Sequence, residues 1–108
     1  MPTLAIGETV AICDSTGDHI GDFRIDESQF GAWCGTFRPM PAYDRVRHLF
    51  AEHAELVTTM SLRFVDEAAE KIAALGLWAR VGGDRFEIHD VQIYEDADGI
   101  GGSFRQVV

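Results

Sequence analysis

The spacing of apolar residues changes character twice along this chain. In the first segment Leu4, Ile6, Val10 and Ile12 alternate with small or polar residues, the period of a half-buried strand. Ser15-Thr16-Gly17-Asp18 supplies a turn. A second strand is expected over residues 19–26, with Phe23 and Ile25 on one face, and a third over residues 30–38, where Trp33, Gly35 and Phe37 share a face and Cys34 and Thr36 look the other way. Pro39 and Pro41 close the third strand because neither can donate to a ladder, and Pro41 suits the first turn of a helix.

From Pro41 to Leu75 the period lengthens. Tyr43, Val46, Phe50, His53, Val57, Met60 and Phe64 recur three and four apart, and Ala68, Ile72 and Leu75 continue the stripe after a small drift. With no glycine or further proline inside it, the segment predicts one long helix, capped by Gly76 in the left-handed conformation. A helix of that length would span ~50 Å, against a radius of gyration of ~13 Å for a domain of this size. Either it bends near Thr58-Thr59-Met60-Ser61, where β-branched and hydroxyl side chains weaken it, or its end packs on another subunit.

Beyond Gly76 the alternation returns. Residues 77–81 read as a strand, Gly82-Gly83-Asp84 as a tight turn and residues 85–88 as its return; residues 91–95 form a further strand, Asp96-Ala97-Asp98-Gly99 turns the chain, and a last strand anchored by Phe104 runs to Val108. The expected fold is therefore α+β. One domain, residues 1–108, carries an antiparallel sheet of about five to six strands in the order β-β-β-α-β-β-β, packed against one long central helix.

Composition changes this picture mainly through charge. Eighteen acidic residues against nine basic ones leave a net charge of −9, spread along the chain with no basic cluster. Phosphate backbones and anionic lipid surfaces would repel such a surface, so nucleic acid and membrane are not expected partners. No apolar run approaches the ~20 residues of a membrane span, and the start, Met-Pro-Thr-Leu-Ala-Ile-Gly-Glu, has no basic segment followed by an apolar one. A cytoplasmic location follows as an expectation. The absence of Asn and the single Lys71 beside eight Arg suit a GC-rich bacterial genome. Cys13 and Cys34 lack a CxxC arrangement or an adjacent base and read as reduced thiols.

Candidate chemistry is sparse. His48 and His53, five apart, stand about 140° apart around a helix and cannot chelate one ion; the segment His48-Leu49-Phe50-Ala51-Glu52-His53 misses the zinc-protease spacing by one residue. The glycine at position 99, set at the invariant position of a calcium loop, puts Tyr94 and Arg105 where carboxylates are needed. Neither a metal nor a cofactor is expected. Glu87 and His89 would share a strand face, and His89 and Asp90 would pair only if the chain bulges there. His53 falls on the apolar stripe, so His53, Glu87 and His89 are the candidate catalytic residues of a pocket between helix and sheet. No nucleophile or oxyanion donor can be set beside them.

The leading expectation is accordingly a small, acidic, non-catalytic binding or accessory protein of the bacterial cytoplasm. It would act through protein–protein contacts, as a homodimer or with a protein partner, and Tyr43, Phe50, His53, Val57 and Met60 are the candidate interaction residues. The alternative is a small enzyme or ligand-binding domain using the pocket near His53, Glu87 and His89.

Overall fold

In the computed structural model, which describes residues 3–107, the sheet closes on itself. Six antiparallel strands run β1 (Thr9–Cys13), β2 (His19–Gln29), β3 (Ala32–Pro39), β4 (Trp78–Val81), β5 (Asp84–Asp96) and β6 (Gly99–Gln106), and they form a closed barrel in the order β1-β2-β3-β6-β5-β4. Between β3 and β4 lie a single-turn 3-10 segment (Pro41–Arg45) and two helices, α1 (Arg47–Thr58) and α2 (Leu62–Ala73). The start of the chain, Met1-Pro2, and Val108, expected at the end of the last strand, lie outside the described residues.

The expected fold, a sheet packed against one long central helix, is corrected on both counts. The first correction concerns the helix. Thr58 and Thr59 turn their hydroxyls back onto the carbonyls of Ala54 and Glu55, and the chain leaves α1 through Met60 at φ 58°. Ser61 N–H then donates to Leu56 C=O and Met60 N–H to Val57 C=O, the paired bonds that end a helix in a left-handed residue. α2 restarts at Leu62 and folds back on α1, with Lys71 Nζ 3.5 Å from Glu52 Oε1 across the pair. An unbroken helix would also have outrun the molecule, whose longest extent is 38 Å.

The second correction concerns the sheet. β4 pairs with β5 on one side and returns to β1 on the other, through Ala11 with Arg80, Ile12 with Ala79 and Cys13 with Trp78. Curvature comes from irregularities at Ile12/Cys13, Ile25/Glu27 and His89/Gln92. At Gly35, beside the second of these, a Cβ would stand 1.9 Å from Arg24 O, so only glycine admits so close an approach of β3 to β2. The two short strands read over residues 85–88 and 91–95 are one strand, β5, carrying the third irregularity.

Closure turns the apolar face of the sheet inward, where Val10, Ile12, Ile20, Phe23, Ile25 and Phe104 fill the barrel; Phe23 and Phe104 meet edge to face, 5.0 Å apart. The barrel thus covers most of its own core and leaves the helices a smaller task. They lie against β5 and, with the 3-10 segment and Val46 ahead of them, extend the core through Tyr43, Val46, Phe50 and Ile72.

Because Met60 holds a left-handed conformation while its side chain is 72% exposed, it loses backbone energy with no packing in return. Met60→Gly is expected to raise stability by about 0.5–1 kcal/mol in urea denaturation without changing helix content. A fall in the urea midpoint would contradict this ending for α1.

Candidate functional site

The structure separates the stripe of candidate interaction residues. Tyr43, Phe50 and His53 turn inward and are buried, while Val57 and Met60 stand exposed where α1 ends. Leu62 and Phe64 are exposed just beyond the corner, with the Arg63 guanidinium 5.8 Å from the Phe64 ring centre. The break in the helix creates this patch, since a continuous helix would have carried Val57, Met60 and Phe64 on its buried face.

Tyr43 packs between Phe37 and Phe50, at 5.0 and 5.8 Å, with Arg47 over its ring. Burial, reinforced by Glu95, pushes its hydroxyl well above the ordinary tyrosine range. Burial likewise pushes the Cys13 thiol up, against the opposing pull of Arg80. Cys13 and Cys34 are both free, and Cys13 is sealed in the barrel wall, so nothing activates it as a nucleophile.

The candidate catalytic residues fall in two adjoining pockets along β5. Glu87 and His89 line the larger, a cleft of about 550 Å³ whose floor is Ile72, Leu77, Ile88 and Val91. At its edge the Arg85 guanidinium sits 3.9 Å from the Trp78 ring centre, and Trp78 Nε1 donates to Asp14 C=O at 2.7 Å. His53 lines the smaller pocket, about 270 Å³, with Asp90, Gln92, Ser103 and Arg105. Asp90 and Val91 belong to both, so His53 is next to the Glu87 and His89 cleft rather than in it.

The chain does bulge at Asp90. His89 faces Arg105 and Gln92 faces Ser103, which sets Asp90 and Val91 together against the single Phe104, one extra residue in β5, with Asp90 left-handed at φ 51°. This brings His89 Nδ1 within 3.4 Å of Asp90 Oδ2, while Arg105 Nε lies 3.6 Å from the same oxygen. Both contacts are long and more than a third exposed, which makes them weak ion pairs. Arg105 Nη1 also donates to Phe30 C=O at 2.7 Å. Phe30, at φ 50° in the β2–β3 turn and 96% exposed, is a third left-handed residue beside Met60 and Asp90, and periodicity assigned it to a strand.

Sequence reasoning singled out His53, Glu87, His89 and Asp90 but missed Arg105, Ser103 and Gln92. Their signal lay in the pairing of β5 with β6, which the bulge shifts by one residue. Among the described residues no three His, Cys, Asp or Glu side chains gather as a metal site, and no helix is long and apolar enough to cross a membrane. Set against protein-family models, curated proteins and solved structures, the chain matches none of them. The reading of function therefore rests on geometry.

The raised pKa values of Cys13 and Tyr43 carry a consequence for stability. In each case the folded value exceeds the unfolded one, so the stabilisation is complete below the unfolded pKa and fades above it, from about pH 8.5 for the thiol and about pH 10 for the phenol. The urea midpoint is expected to fall between pH 8 and pH 10.5, and Tyr43→Phe together with Cys13→Ala should flatten that fall. An equally steep fall in the double variant would place its origin elsewhere.

Proposed function

We propose that this chain is a small, acidic, non-catalytic binding protein that acts through protein–protein contacts, with the α1–α2 corner as its contact surface and a second copy of the chain as its occupant. The observation that carries this reading is the run of exposed apolar side chains at Val57, Met60, Leu62 and Phe64 across the junction of α1 and α2. Exposed apolar side chains concentrated in one segment mark interaction surfaces more often than singly scattered ones do. Its strained centre, Met60, adds weight, because backbone strain kept at an exposed site points to use.

A second copy fits the charge pattern around the corner. Arg63 lies one turn before Asp66 and Glu67 on α2, so a two-fold contact can set the arginine of each copy against carboxylates of the other. The chain's net charge of −9 opposes association at low salt, which makes this dimer one that tightens as salt is added. A cytoplasmic location belongs to the same proposal and draws support from the two free thiols.

Sedimentation velocity at increasing concentration tests the reading. A dimer is expected to form by about 100 µM at physiological salt, and Leu62→Glu with Phe64→Glu should leave a folded monomer, because burying such patches supplies the driving force of association at about 25 cal/mol per Å². A wild-type chain that stays monomeric, or a double variant that still dimerises, would overturn it.

A further inference from the structure

The His53 pocket sets a buried histidine beside the side chains of Gln92, Ser103 and Arg105. His53 is 7% exposed, yet neither ring nitrogen makes a hydrogen bond among the described residues, and neither is fully sealed from solvent. Because its nitrogens reach solvent, the imidazole can bond to water or to a solute in the adjoining space. Ser103, Gln92 and Arg105 line the same 270 Å³, and neither the half-buried Ser103 hydroxyl nor the exposed Gln92 amide has a side-chain partner among the described residues. The carboxylate at the rim, Asp90, already faces His89 and Arg105.

Arg105 brings a permanent positive charge to the pocket, and Ser103, Gln92 and His53 can each donate. Arg105 is held by the bond from Nη1 to Phe30 C=O, with a weak contact from Nε to Asp90, which leaves Nη2 available to a ligand. Both contacts are to strained, left-handed residues, Phe30 and Asp90. Strain of this kind persists where the surrounding structure has a use for it. Ala69 of α2 and Ala32 of β3 keep the walls small, so the volume suits a group of a few heavy atoms.

From this we infer that the pocket between α1, α2 and the β5–β6 hairpin is a binding site for a small carboxylate. Arg105 Nη2 and the His53 ring hold the anion, and Ser103 and Gln92 complete its hydrogen bonds. This site is separate from the α1–α2 corner, and its test does not depend on dimer formation.

The experiment is a two-dimensional amide NMR titration of the full chain with sodium acetate, set beside acetamide, which has the same shape without the charge, and sodium chloride at matched ionic strength. Saturable shifts at Gln92, Ser103 and Arg105 with acetate are expected, with a Kd of about 1–20 mM for so small a ligand. Acetamide and chloride should give none. His53→Leu is expected to keep a dispersed spectrum, to weaken binding about tenfold or more, and to raise the urea midpoint, since an unpartnered polar group is replaced by an apolar one. Ser103→Ala, a milder change in a half-buried position, is expected to weaken binding about threefold. Absence of a saturable acetate shift up to about 100 mM, equal shifts with acetamide, or unchanged affinity in Ser103→Ala would each overturn the inference and leave a pocket that holds water only.

Discussion

Everything in this fold depends on a short seam, the return of β4 onto β1. β4 is four residues long, and three of its residues pair with β1; Ala79, in the middle, is fully buried. Trp78 seals one end of the seam by donating to Asp14 C=O while Arg85 covers its ring. Without this closure the sheet would have two open edges and an uncovered apolar face, and a single long helix would be the natural cover. With it, the core lies inside the barrel.

The seam in turn constrains the helical insert. β3 ends at Pro39 and β4 must begin at Trp78 beside β1, so the residues between have to leave the barrel and come back to it. Two helices of twelve residues, each about 18 Å long, do this when they fold over one another, and the left-handed ending at Met60 makes the fold-back. Gly76, at φ 61°, completes the return; Ser15 N–H bonds to Leu75 C=O there, and a Cβ on Gly76 would meet Ser15 Cβ at 2.9 Å. The exposed corner is therefore a product of closure. The His53 pocket is another, formed where the folded-back helices meet the bulge that lets β5 bend around the barrel.

Much of the local structure was legible in the alternation of apolar residues. The segments around Val10–Ile12, Phe23–Ile25 and Trp33–Phe37 are strands, Gly76 is left-handed, and the weakness at Thr58–Ser61 is where the helix ends. The choice between a bend and a subunit contact was not legible, because Met60 in a left-handed turn has no signature comparable to glycine. Closure was hidden for a different reason. Pairing Ile12 with Ala79 joins positions far apart in sequence, and an open and a closed sheet present the same alternation. At the pocket, His53 stood out as a polar residue on an apolar stripe, whereas Arg105 and Ser103 looked like ordinary strand residues until the Asp90 bulge brought them into register with it.

Hydrogen exchange followed by NMR tests closure most directly. In a closed barrel the hydrogen-bonded amides of β4 and β1 open only with the whole domain, so their exchange should report the same free energy as the centres of β2 and β3. If the β4 amides exchange through local opening at rates far above those of β2 and β3, the seam is not closed and the account of the insert, the corner and the pocket built on it is contradicted.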